Sequence, residues 1–144
     1  MPLWHVYHPP GAYTEQDKKD FAKDITAFYT NVGLPKFYVL SFFHEVPSKS
    51  YFVGEEASSD MVRVCIEHTA RNVADVKRRR WMVETIAKII NPYTIDRGLH
   101  YEFNIDETPM DLWMVDGLWP PEWGSEGEKL WARENKAVPF AIEV

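Results

Sequence analysis

The sequence predicts an α+β fold in which two tandem β-α-β units build one four-stranded mixed sheet with two helices on one face. Three observations predict it. Apolar or alternating runs bracket two amphipathic stretches in the order strand, helix, strand, twice over. The two sets are offset by about 60 residues, judged from their helix starts and strands. A length of 144 residues suits one domain, or two small fused units sharing a core. The units are 1–50 and 61–106, joined by a turn or small hairpin at 51–60 and followed by a Trp- and Pro-rich segment, 107–144. Each unit is expected to make a right-handed parallel crossover.

In the first unit, LWHVY (3–7) reads as a short strand closed by Pro9-Pro10-Gly11. Thr14 with Asp17 three residues on is a capping-box pattern, and Phe21, Ala22, Ile25, Phe28 and Tyr29 fall on one helix face. Asn31-Val32-Gly33-Leu34-Pro35 ends that helix, Gly33 offering a left-handed cap. FYVLSFF (37–43) is almost continuously apolar, as a strand buried on both faces would be.

In the second unit, Val62, Val64, Ile66 and His68 alternate with Arg63, Cys65 and Glu67, a half-buried strand. Asn72 can cap a helix running to Asn91-Pro92, with Val76, Val83, Ile86 and Ile90 as its buried stripe. Tyr101, Phe103 and Ile105 then alternate with polar residues. The last segment carries Trp113, Trp119, Trp123 and Trp131 and a helical candidate at 125–136. It is too irregular to form a core alone and suits covering its own domain or a neighbouring subunit.

Hydrophobic residues at 45% supply a core, and 22 acidic against 16 basic residues give a net charge of −6. That balance disfavours nucleic acid or an anionic membrane as partner, because phosphate binding needs a basic face. The run Lys77-Arg78-Arg79-Arg80 fans over several directions of a helix, so most of it is expected in solvent. Cys65 is the only cysteine; it excludes an intramolecular disulfide and reads as a buried structural thiol. With no leader or long apolar span, the expected location is cytoplasmic. Histidines 5, 8, 44, 68 and 100 show no metal-ligand spacing, and no phosphate loop or nucleophile elbow occurs, so neither metal nor cofactor is expected.

Pro2 admits two readings. Proline suits the first position of a strand, but once Met1 is trimmed its nitrogen is a free secondary amine. An α-amino group has a pKa near ~8, and burial or a nearby guanidinium disfavours its protonated form. Both effects bring it toward the range where general-base catalysis is efficient. Removal of Met1 is expected, because methionine before a small residue is readily trimmed.

Tandem units opening on Met-Pro, with MPLWHVY, AKDIT (22–26), YFVGEE (51–56), DETP (106–109), MVDG (114–117) and GSEGE (124–128) in order, resemble the tautomerase superfamily. Within it, the chain is similar to the fused-unit branch that includes cis-3-chloroacrylic acid dehalogenase. The resemblance implies a tautomerase-like fold, Pro2 as catalytic base or acid, and no cofactor. It sets Tyr29 where the dehalogenase has a helix histidine that positions substrate and water. HTARN supplies His68 and Arg71 where that enzyme has two arginines, leaving Arg71 as anion clamp. The family's fourth-strand tyrosine falls on Asn104, and its water-activating glutamate on Asp116 after a one-residue shift. The implied activity is proline-based tautomerisation of a small unsaturated or 2-oxo carboxylate by a homotrimer. Hydration or dehalogenation of a 3-substituted acrylate, and a non-enzymatic ligand-binding module of ferredoxin-like topology, stand as alternatives.

Overall fold

Strict alternation at the amino end makes β1 (Pro2–His8) a strand with two unlike faces: Pro2, Trp4, Val6 and His8 are buried, while Leu3, His5 and Tyr7 are half-buried. The structure, a computed structural model, describes residues 1–70 and 72–141. The Thr14 hydroxyl accepts from the Asp17 N–H at 3.0 Å and the Asp17 carboxylate accepts from the Thr14 N–H at 2.9 Å. This capping box starts α1 (Glu15–Thr30), and Gly33 at φ +92° turns the chain out of it. β2 (Leu40–Glu45) returns parallel to β1. A small hairpin, β3 (Phe52–Val53) and β4 (Glu56–Ala57), leads to β5 (Met61–Thr69), which runs antiparallel to β1. After α2 (Val76–Ile90), β6 (His100–Thr108) lies parallel to β5.

The strand order is β2-β1-β5-β6, the predicted mixed sheet with the two units meeting at its centre. Phe21, Ile25 and Tyr29 of α1 and Ile86 and Ile90 of α2 share one core with Trp4, Val6, Val62, Val64 and Ile66, so both helices cover the same face. α3 (Glu126–Glu134), capped by the Ser125 hydroxyl, adds the fully buried Trp131 to that core. Among the described residues no helix is long and apolar enough to cross a membrane.

Four local expectations are corrected. The apolar run 37–43 is not one strand buried on both faces. Lys36–Tyr38 form a 3-10 turn whose Phe37 and Tyr38 pack on Trp131, and β2 begins at Leu40 as an edge strand with Leu40 and Phe42 exposed. The cap of α2 is Asp75 rather than Asn72; its carboxylate accepts from the Arg78 N–H at 2.8 Å. Of the predicted α2 stripe, Ile86 and Ile90 are buried while Val76 and Val83 are exposed, since α2 meets the sheet through its carboxy-terminal half. Finally, Cys65 is half-buried rather than buried, because it points to the sheet face opposite the helices.

That face carries a ladder of rings: His5, Tyr7, Phe42 and His44 stack with centroids 4.7–6.2 Å apart, and His5 Nδ1 and His44 Nε2 share a hydrogen bond of 2.8 Å. At the far end of the sheet from Pro2, aromatic packing ties the units together. Tyr93 stacks on Phe21 at 4.1 Å, accepts from the Tyr13 hydroxyl at its carbonyl, and donates its own hydroxyl to Asp24 at 2.6 Å. Arg97 lies over the Tyr13 and Tyr93 rings and pairs with Asp17 at 3.0 Å, holding that carboxyl well below its ordinary pKa.

His8 is fully buried, and its Nδ1–H donates to the Pro9 carbonyl at 2.9 Å, leaving Nε2 without a partner among the described residues. Burial pushes its pKa below the ordinary 6.5. The unfolded chain therefore binds the proton first on acidification, so stability is full above 6.5 and declines as pH falls through the folded value. Urea unfolding between pH 7 and pH 5 is expected to show this decline in the wild type, with a shallower slope in His8→Phe. An unchanged slope contradicts the assignment.

Candidate active site

Pro2 opens the central strand β1 and faces the helix side of the sheet at the end where α1 finishes and α2 starts. There the two units enclose a cavity of about 640 Å³. Pro2, Phe28, Tyr29, His68, Arg78 and Trp81 line it, together with Trp123 from the last segment. In the β1–β5 ladder Pro2 is directly opposite His68. Cross-strand neighbours on one face lie ~5 Å apart at Cβ, so sheet register alone brings the imidazole beside the proline ring.

Tyr29, on the last turn of α1, is fixed from both sides. The Trp4 indole N–H donates to its hydroxyl oxygen at 2.9 Å, and that oxygen lies 2.7 Å from His68 Nε2. Indole can only donate, so two proton arrangements complete the chain. The phenol donates to His68 Nε2, or His68 Nε2–H donates to the phenol oxygen and the phenol hydrogen turns to the cavity. Burial pushes the Tyr29 pKa well up, against the smaller opposing effect of the Trp4 bond, so the phenol stays protonated at neutral pH.

Met1 precedes this site. Its amino group donates to the Thr69 carbonyl at 2.6 Å and its carbonyl accepts from the Thr69 N–H at 3.0 Å, extending the β1–β5 ladder by one rung. While Met1 is attached the Pro2 nitrogen is an amide with no basic lone pair. The strand beyond Thr69 leaves the sheet through Ala70, a non-glycine residue at φ +67°.

Of the residues singled out from the sequence, Pro2, Tyr29 and His68 therefore come together. Asn104 does not join them within one chain. It lies on the ring-ladder face, where it accepts from Arg63 at 2.5 Å and donates to Asp106 at 3.1 Å. Asp116 sits at φ +50° in an exposed turn between Val115 and Leu118 and does not line the cavity. Arg71 lies outside the described residues.

Sequence reasoning did not single out Arg78, which is exposed like its basic neighbours but also lines the cavity. The signal was the spacing Asp75-x-x-Arg78: with the cap at Asp75, Arg78 is the third helical residue and reaches the cavity rim. Glu128 was missed too. It is buried, accepts from the Gly124 N–H at 2.8 Å, and lines a second space of about 20 Å³ that shares Met1, Thr69 and Trp123 with the main cavity. Burial and the Glu128 charge raise the pKa of Tyr38, whose hydroxyl has no partner among the described residues. Gly127 makes this seat possible: a Cβ there would meet Phe140 and Pro121 at 2.8 Å. Among the described residues no group of three or more His, Cys, Asp or Glu could hold a metal ion.

With this geometry in hand, comparison with known proteins is informative. No curated protein matches the chain. Among solved structures, RhCC from Rhodococcus jostii RHA1 is 38% identical and superposes with a TM-score of 0.93, covering 96% of this chain and 99% of its own. A protein described as a probable enzyme of the thermophilic fungus Aspergillus fumigatus is also 38% identical, with a TM-score of 0.92 and coverage of 97% and 98%. N1, a member of the cis-3-chloroacrylic acid dehalogenase family, shares the fold at a TM-score of 0.72 and 14% identity, covering 92% of this chain and 97% of its own. The family model described as "putative oxalocrotonate tautomerase enzyme" matches residues 1–136. A match of that extent, on a chain with this sheet order, establishes that the protein belongs to the oxalocrotonate tautomerase family so described, within the tautomerase superfamily.

Proposed function

We propose that the whole chain, 1–144, is a single-domain, cofactor-independent tautomerase-like enzyme in which Pro2, freed by removal of Met1, is the general base and acid. Its substrate is a small unsaturated or 2-oxo carboxylate. The observation that carries the reading is the seat of Pro2: first residue of a central strand, lining the cavity opposite His68 and beside the anchored Tyr29 phenol.

The burial of Pro2 in a largely apolar cavity favours the neutral form of the freed amine, whose lone pair is what the base role needs. The amine accepts the hydroxyl proton of an enol and returns a proton to the adjacent carbon. The C=C bond becomes C–C, the C–O bond becomes C=O, and atoms balance. In the arrangement where His68 Nε2–H donates to the phenol oxygen alongside the Trp4 indole N–H, the Tyr29 hydrogen is free to reach the substrate oxygen on which negative charge develops. Arg71, two residues beyond β5, is the carboxylate clamp implied by the resemblance. The reading is favoured over hydration because Asp116, the carboxylate that water addition calls for, is outside the cavity of its own chain. A homotrimer fits the uncovered ring-ladder face, and a cytoplasmic setting fits a single free thiol.

Enol–keto conversion of phenylenolpyruvate or a 2-hydroxydienoate, followed spectrophotometrically, tests the base. Pro2→Ala is expected to lower kcat/KM by ~10²–10⁴-fold with the fold intact by circular dichroism. Equal activity in the two proteins removes Pro2 from the mechanism.

A further inference from the structure

The arginines of this chain are mostly engaged. Arg63 bonds Asn104, Arg79 pairs with Glu107 and donates to the Val73 carbonyl, Arg97 pairs with Asp17, and Arg133 with Glu134. Arg80 and Arg78 differ in that neither guanidinium makes an ion pair or hydrogen bond among the described residues; of the two, Arg78 lines the Pro2 cavity, with its backbone N–H used by the Asp75 cap. It is also a permanent cation on the rim of the Pro2 cavity, whose walls are otherwise largely apolar. One helical turn on from Arg78, Trp81 forms with Phe28 an aromatic wall with centroids 6.2 Å apart, and Trp81 is 56% exposed despite its size.

Volume adds a second constraint. A three-carbon acid has about six heavy atoms; at the ~30 Å³ share of a water molecule for each, it fills under ~200 Å³. The cavity holds about 640 Å³, and departure of Met1, which lines it, enlarges it further. Apolar pockets of this size bind ligands through a large hydrophobic body fixed by a few polar groups.

We propose that Arg78 is a specificity-determining residue that shares the substrate carboxylate with the clamp the resemblance assigns to Arg71, and that this substrate carries an aromatic-sized apolar body lying on Trp81 and Phe28. The proposal rests on the Pro2 reading for its reaction but not for its binding. Guanidinium grips a carboxylate through two parallel hydrogen bonds, a geometry that an ammonium does not reproduce. The acid group sits at the cavity rim, and the apolar body occupies the space beneath.

Two measurements on the Met1-trimmed protein test it. The first is equilibrium binding of phenylacetate, and of its methyl ester, by tryptophan fluorescence, which needs no turnover. Arg78→Ala is expected to weaken the acid ~10–100-fold and leave the ester within about twofold, with Arg78→Lys recovering only part of the loss. The second is enol–keto conversion of phenylenolpyruvate against a three-carbon enol acid. Arg78→Ala is expected to act chiefly on KM, and Trp81→Ala to raise KM for the aryl acid at least ~5-fold while sparing the small one. Unchanged acid binding in Arg78→Ala, equal losses for acid and ester, or equal effects of Trp81→Ala on both acids overturn the proposal. Full activity in Pro2→Ala with these binding effects present overturns the base reading alone.

Discussion

A chain carrying any residue ahead of Pro2 is expected to lose enol–keto turnover by ~100-fold or more while remaining folded. The physical reason is local. A peptide bond at Pro2 delocalises the nitrogen lone pair, and no rearrangement of the pocket restores it. The fold has nothing to lose, because Met1 already pairs with Thr69 in both directions and simply lengthens the ladder. Two net hydrogen bonds of roughly 1 kcal/mol each even favour the extended form. A protease-cleavable leader provides the comparison: uncut protein is expected inactive and at least as heat-stable, and cleavage to a terminal Pro2, verified by intact mass, restores activity. Full turnover in the uncut protein contradicts the mechanism.

The largest expected loss of stability is in Trp131→Ala. Trp131 is fully buried on α3, its indole N–H donates to the Val138 carbonyl at 2.6 Å, and its ring meets Phe37, Tyr38 and Phe140 at 5.9–6.1 Å. Truncating such a side chain removes its burial and leaves a cavity, at a cost of ~3–5 kcal/mol. For a domain of this length that is a drop of roughly 10 °C in Tm. Trp123→Ala, 67% exposed, is expected to change stability by no more than ~0.5 kcal/mol. Urea denaturation of the two variants checks the contrast, and similar midpoints for both count against this packing account.

These two tryptophans also mark where the sequence stops being readable. Composition places four tryptophans in 107–144 but not their depth, which depends on which face of α3 meets the 36–38 turn. The strands β1 and β5 were legible because each alternates strictly, and α1 because Thr14 and Asp17 cap it visibly. Pro2 stood out through the resemblance together with its place at the head of a strand. His68 opposite Pro2 is a matter of register between strands some sixty residues apart, which no local pattern encodes. Arg78 depended on whether α2 starts at Asn72 or three residues later, since that shift carries a side chain most of a turn around the helix. Asn104 and Asp116 were placed by similarity alone, and within one chain neither reaches the cavity.

The aromatic packing at the other end of the sheet has a meaning for the duplication itself. Turning the sheet about the axis between β1 and β5 carries Pro2 close to Val62, and carries His68 close to His8, one position past the Tyr7–Arg63 pair. The counterpart of the Pro2 cavity is thus the region under His8, and it is filled: Tyr13, Phe21 and Phe43 close around the imidazole, and Tyr93 stacks in behind. The two ends of the sheet therefore differ in packing: rings fill the His8 end, while the Pro2 end keeps its cavity.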